Sequence, residues 1–181
     1  MSNIVTYRIS INGNGYASPL YLTANSGKII YRDKVDTIIG IKHPGIVLGD
    51  DAWGRTWVIH NHYEIGYTAI VTFEEFSMGC RVFYDERNVF YNAYEIIDRA
   101  ITHWYQRKEY HWLFNNCQHF VNEVTQNDNY SETIDKVSNN TMIAGGLISF
   151  FGLMTNNKAT IQTGLSIAGV GATGKVLNRI K

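Results

Sequence analysis

The hydrophobic pattern of this chain changes period near residue 92, which restricts it to folds where strands come first and helices follow. Before that point, short runs rich in Ile, Val, Thr, Tyr and Phe stand between turn formers. They are Thr37–Lys42, Gly45–Leu48, Thr56–His60, Tyr67–Phe73 and Arg81–Tyr84, separated by Gly49-Asp50-Asp51, Gly54, Asn61 and Gly79. The spacing predicts consecutive antiparallel strands of one sheet. After it, Ala93, Ile96, Ile97, Ala100, Ile101 and Trp104 fall on one face of a helix. Asn92, with Glu95 three residues on, has the form of a capping box. A second helix is predicted from near Asn116, with Cys117, Phe120, Val121 and Val124 on one face. The fold class expected is α+β: an antiparallel sheet with flanking helices.

The flanks read differently. Residues 1–36 are polar, with Gly13-Asn14-Gly15 as a turn and Val5–Ile9 as an edge strand. They are read as an N-terminal strand-rich extension without an assigned function. Residues 37–130 are expected to form the main domain, and 131–181 an apolar helical tail. In that tail Thr133–Asn140 is polar and Met142–Met154 is apolar except for Ser149. Thr155–Thr163 is polar again, and Leu165–Ala172 is apolar and rich in small residues. The 13-residue apolar run is shorter than the roughly 20 residues of a spanning helix, so it predicts a buried or interfacial helix. Residues 142–172 are thereby expected to meet a membrane surface or to pack as a hairpin. Lys175, Arg179 and Lys181 stand where anionic headgroups would be met.

Charge and cysteine content exclude several classes. Lys plus Arg equal Asp plus Glu at 16 each, so the basic excess of a nucleic-acid binder is missing. With 45% apolar and 18% charged residues, the composition is that of a packed chain. The two cysteines, Cys80 and Cys117, are too few for a disulfide framework. No basic segment followed by an apolar run opens the chain, so the expected compartment is the reducing cytoplasm.

Chemistry concentrates in Asn115-Asn116-Cys117-Gln118-His119-Phe120. A cysteine at the start of a helix faces backbone N–H groups and the positive end of the dipole, which favour thiolate. The same N–H groups suit the oxyanion of a tetrahedral intermediate. The motif alone also fits a small buried apolar residue, and both readings stay open on it. A thiolate needs a proton acceptor, and histidine suits that role near neutral pH. His43 opens a strand, His60 ends the next, and adjacent antiparallel strands bring two such rings together. His62, His103 and His111 are read as ordinary surface or core side chains. His119 is turned away from the cysteine's face and is read as supporting local hydrogen bonds. His60-Asn61-His62 with Cys117 is weak as a zinc set, because no Cys-x-x-Cys or His-Glu-x-x-His accompanies it. No metal and no cofactor are expected.

Four pieces in order carry a family resemblance: His43-x-Gly45-Ile46-Val47-Leu48-Gly49, Trp57-Val58-Ile59-His60, Phe73-x-x-Phe76-x-x-Gly79, and Asn116-Cys117-Gln118-His119-Phe120-Val121-Asn122-Glu123. Over roughly residues 37–125 the chain resembles the lecithin:retinol acyltransferase-like family, which includes the H-rev107-type phospholipase/acyltransferases. That family belongs to the permuted NlpC/P60 branch of the papain-like superfamily, in which the histidines precede the cysteine. The resemblance implies a permuted papain-like fold, with Cys117 as nucleophile, His43 as base and His60 as third member. Asn116, Gln118 and His119 are implied as oxyanion or supporting residues. It further implies an acyl-thioester intermediate drawn from a phospholipid or other acyl ester, and a membrane anchor in the apolar tail. A cysteine peptidase or amidase of the wider superfamily, and a non-catalytic module retaining the fold, are the alternatives. Two departures stand out. Gln118 replaces the usual Glu, and Asp50–Arg55 makes a longer spacer between the histidines, which leaves His62 as a fallback for His60.

Overall fold

The computed structural model describes residues 9–11, 16–33, 42–62, 64–87, 89–111, 115–128 and 131–178. It divides into two compact units, residues 1–128 and 129–181, each described by itself.

In the first unit, β1 (Ile9–Ile11) and β2 (Tyr16–Ser18) form a small antiparallel pair. The expected Gly13-Asn14-Gly15 turn lies outside the described residues, as do 5–8 of the edge strand and 37–41 of the first predicted sheet strand. A five-stranded antiparallel sheet follows. Its strands are β3 (Ile29–Asp33), β4 (Lys42–Asp50), β5 (Thr56–His62), β6 (Tyr67–Thr72) and β7 (Val82–Tyr84), in the spatial order β6-β5-β4-β3-β7. The α+β class with an antiparallel sheet and flanking helices is therefore what the chain forms. The boundary drawn at residue 36 cuts through this sheet. β3 lies on its N-terminal side, yet it pairs with both β4 and β7. The periodicity also left out α1 (Phe73–Ser77), a short helix that Phe73 begins. Thr72 caps it by accepting from the Glu75 backbone, and Glu75 returns the bond, so the strand ends where the capping box begins.

Both faces of the sheet are covered, which is why its strands read as continuous apolar runs rather than alternating ones. On one face, Ile29, Ile46, Leu48, Trp57 and Ile59 pack with α2 (Ala93–Gln106) through Ile96, Ile97, Ala100 and Ile101. They also pack with α3 (Cys117–Gln126) through Phe120, Val121 and Val124. On the other face, Ile30, Val47 and Val58 pack against Phe76 of α1. Each of these large apolar side chains contributes about 1.5–3 kcal/mol when buried. Gly45 lies between the layers because a Cβ there would sit 2.8 Å from both Phe76 and Val58.

The second unit is a hairpin of α4 (Glu132–Met154) and α5 (Lys158–Leu177). The polar stretch Thr133–Asn140 and the apolar run Met142–Met154 belong to one helix. The helices meet along a seam of small residues. A Cβ on Gly145 would collide with Ala168 N, one on Gly164 with Ser149, and one on Gly171 with the backbone of Ser138 and Met142. The large apolar residues face outward instead: Ile143, Leu147, Phe150, Phe151, Leu153, Met154, Leu165 and Val170 are all exposed. Among the described residues no helix is long and apolar enough to cross a membrane.

Candidate functional site

The site begins with strand pairing. Ile46 faces Ile59 and Val47 faces Val58 across β4 and β5. The alternation of side chains therefore puts His43, His60 and His62 on the face that carries Val47, Val58 and Phe76. The rings meet there. His43 Nε2 and His60 Nδ1 are 2.7 Å apart, with ring centroids 5.0 Å apart. His62 is further from His43, at 6.3 Å between centroids. The Phe76 ring lies against both imidazoles, 5.8 Å from His43 and 5.4 Å from His60.

The longer Asp50–Arg55 spacer is absorbed before it reaches His60. The Asp51 carboxylate accepts from the backbone N–H groups of Trp53 and Arg55 at 2.9 Å, from Arg55 Nε at 2.8 Å and from Trp57 Nε1 at 3.1 Å. Burial alone would raise this carboxyl's pKa, but these donors hold it below the usual range. A bulge at Val47–Gly49 takes up the remaining offset. Gly49 has a φ of 154°, and a side chain there would run into Tyr21 O. The turn is thus a tied knot that returns β5 in register.

Cys117 is the first residue of α3 and is 5% exposed. Asn116 caps the helix, its Oδ1 accepting from Gln118 N at 2.9 Å and His119 N at 3.1 Å. His119 Nδ1 in turn accepts from Asn116 N at 3.3 Å, closing a capping box with histidine in the place of the usual Glu or Gln. His119 is buried here and supports the cap. The N–H groups of Gln118 and His119, which the sequence offered to an oxyanion, are therefore already hydrogen-bonded by Asn116. The loop before the cap is tied to the histidine strand: Asn61 Nδ2 donates to Asn115 O at 2.8 Å. Asn61 follows His60, and Asn115 is two residues before Cys117, so the start of α3 sits at the end of β5 that carries His60. The body of α3 packs on the Ile46–Ile59 face, and the imidazoles lie on the other. The Asn61–Asn115 bond therefore ties the start of α3 to the end of β5 that carries His60.

His60 is driven to about pKa 3, by burial first and then by repulsion from His62 and Arg32. It is neutral across the physiological range. Its Nε2 is buried without a hydrogen-bond partner. The pKa of His62 is lowered too, by burial against the opposing pull of Glu64.

Arg32 is a residue that sequence reasoning passed over. It stands opposite His43 in the β3–β4 register, is 6% exposed, and carries its guanidinium 5.7 Å from the Phe76 ring. The signal available was a lone arginine in the apolar run Ile29-Ile30-Tyr31-Arg32. His103 lies elsewhere, buried on α2 with Nδ1 2.9 Å from Thr68 Oγ1 and Nε2 3.7 Å from Glu123. Burial pushes it down to about 4. Among the described residues no cluster of His, Cys, Asp or Glu fits a metal ion. No protein-family model and no curated protein matches the chain.

Proposed function

We propose that this protein is a thiol-dependent acyltransferase or phospholipase A-type hydrolase of the lecithin:retinol acyltransferase-like kind, on a permuted papain-like fold, with Cys117 as nucleophile. The observation that carries the reading is the 2.7 Å His43–His60 contact at the sheet end to which the start of α3 is tied. A thiol at a helix N-terminus beside a hydrogen-bonded imidazole pair is what acyl transfer through a thioester requires.

The chemistry follows from which nitrogens are taken. His60 meets His43 Nε2, and the base is assigned to His43 Nδ1. Its lone pair exists only in the tautomer that keeps the proton on Nε2 and donates it to His60 Nδ1. The thiol proton passes to Nδ1, and the sulfur attacks the carbonyl carbon of a phospholipid or other acyl ester. The intermediate collapses as Nδ1 protonates the departing alcohol oxygen, leaving the acyl group on sulfur. Water, an amine or an alcohol then attacks the thioester, His43 takes its proton, and Cys117 regains a hydrogen. Since His60 is neutral, it steadies the imidazolium by orientation and one hydrogen bond, not by charge. Asn116, Gln118 and His119 support the helix end, and no cofactor takes part.

The hairpin supports a lipid substrate and a protein that meets membrane. Residues 137–157 and 159–174 carry no Asp, Glu, Lys or Arg. Its exposed hydroxyls are satisfied within their own helices: Thr141 donates to Val137 O, Thr163 to Ala159 O, Ser166 to Gln162 O and Thr173 to Gly169 O. Small residues inside, large apolar residues outside and self-satisfied hydroxyls suit an apolar surrounding.

Incubation with phospholipid vesicles tests the reading. Fatty acid or lyso-lipid should appear, an acyl adduct should be found on Cys117, and Cys117→Ala should abolish both. Release that persists in the variant sinks the assignment. Cleavage of peptide amides without action on vesicles would favour a peptidase instead.

A further inference from the structure

We infer that the α4–α5 hairpin lies in the plane of an anionic lipid surface, with the outer face of α4 among the acyl chains and the outer face of α5 turned toward water. The inference rests on the reading that this protein meets membrane, and not on any chemistry at Cys117.

The two helices differ on the sides they turn away from one another. In the seam, Gly145 and Gly152 of α4 meet Ala168 and Ile161 of α5, and Gly164 meets Ser149. A helix advances about 100° per residue, so the side of α4 opposite that seam carries Ile143, Leu147, Phe150 and Met154. These are 62%, 65%, 61% and 73% exposed. The matching side of α5 carries Gln162, Ser166, Gly169 and Thr173, all exposed and all small or polar. The Ser166 and Thr173 hydroxyls donate to Gln162 O and Gly169 O, and a Cβ on Gly169 would meet open space. Among the described residues, eight large apolar side chains are exposed on α4 and three on α5. The hairpin therefore has one oily side and one small, polar side, although both helices lack charge between residues 137 and 157 and between 159 and 174.

A layer with two unlike sides fits an interface, where an apolar face sinks about 5–10 Å to the headgroup–acyl boundary and the other face stays wet. The ends of the hairpin favour the same placement. From residue 137 to Met154, α4 is about 27 Å long, against a hydrocarbon core of about 30 Å. Upright insertion would carry Asn156, Asn157 and Lys158 of the tip into that core, where a charge is costly. Lying flat keeps tip and base at headgroup depth together. Charge selects the partner. Residues 129–181 hold five basic and two acidic residues. Lys158 is at the tip, and Lys136, Lys175, Arg179 and Lys181 stand by the base with Glu132 and Asp135. A second copy stacked on the α4 face would bring like net charge together at both ends, whereas anionic headgroups neutralise it.

The test uses the full chain and vesicles of phosphatidylcholine and phosphatidylglycerol in equal parts. The wild type should float with them, and less well with phosphatidylcholine alone or at high salt; no flotation overturns the inference without need of a variant. Leu147→Gln should weaken vesicle affinity by about tenfold or more, and Gly169→Gln should leave it nearly unchanged. Both positions are exposed, so both variants should keep the far-UV spectrum. Depth is read from an environment-sensitive dye on a single cysteine in the Cys80→Ser, Cys117→Ser chain. A dye at Leu147→Cys should be quenched by spin-labelled acyl chains, and dyes at Gly169→Cys and Thr155→Cys by iodide in the water. Acyl-chain quenching at 155 equal to that at 147 would mean tip-first insertion, and equal quenching at 169 would mean immersion on all sides; either overturns the flat arrangement. A chain that is dimeric in light scattering and shows no acyl-chain quenching at 147 would give that face to a second copy instead. Ester release by the wild type is a separate readout. The expected depths without release leave the hairpin in place and remove the acyltransferase reading, and release with the wrong depths removes the hairpin arrangement alone.

Discussion

His43 and His60 share a 2.7 Å contact between Nε2 and Nδ1 across two strands, and this fixes how each ring can act. For His43 to act as base through Nδ1, the shared proton must sit on Nε2 and be donated to His60. His60→Ala removes the acceptor that selects the useful tautomer. We expect acyl-thioester formation on Cys117 to slow by about 10²-fold or more, while iodoacetamide still labels the sulfur. Single-turnover mass spectrometry checks this, and an unchanged rate would remove His60 from the mechanism.

Acid should destabilise the fold through two histidines. His60 and His103 lie at about 3 and about 4 in the folded state, against 6.5 unfolded. Above pH 6.5 both states hold these rings neutral. As pH falls below it, the unfolded chain takes up protons that the folded chain refuses. Each group then costs about 1.4 kcal/mol per pH unit until its folded pKa is reached. Urea midpoints should therefore fall between pH 6.5 and 4, and His103→Gln should flatten the slope. A pH-independent midpoint in that window would contradict the burial of both rings.

Gly45 leaves room for the Phe76 ring beneath the imidazole pair. Gly45→Ala forces that ring or Val58 to give way, with an expected loss of about 1–3 kcal/mol in chemical denaturation. The displaced ring should also lower activity in the fraction that remains folded.

Asn116 holds two N–H groups of α3 by its side chain. Asn116→Ala should cost about 0.5–2 kcal/mol of stability, and Asn116→Asp should cost less, because it keeps the acceptor and adds charge at the positive helix end. Equal losses in the two variants would argue against the cap.

Gly164 approaches Ser149 across the hairpin seam too closely for any side chain. Gly164→Leu should separate α4 from α5 and reduce recovery of the protein with phospholipid vesicles in flotation. Leu165→Ser, on the outer surface, should weaken flotation while leaving the seam intact. Unaltered flotation in both variants would dissociate the hairpin from lipid.

The sequence by itself determined the order of elements and where chemistry would start. The period change at residue 92, the Asn92–Glu95 capping box and the helix beginning at Cys117 are local features, set by neighbours a few residues apart, and the structure has each of them. The nearness of His43 and His60 was also within reach, because adjacent antiparallel strands carry both on one face, and the register that sets Ile46 against Ile59 places them on a diagonal. Tertiary structure alone decided the rest. β3 pairs with the next strand, β4, and with the distant β7, so the run Ile29-Ile30-Tyr31 can suggest a strand but not its place inside the sheet. Arg32 acquires its meaning only when that pairing sets it opposite His43. Likewise, Asn116 appears from sequence as a residue beside an oxyanion site, and its use of the Gln118 and His119 N–H groups depends on a rotamer. Pattern records which residues can be buried, whereas distance between strands records which charges must then live together.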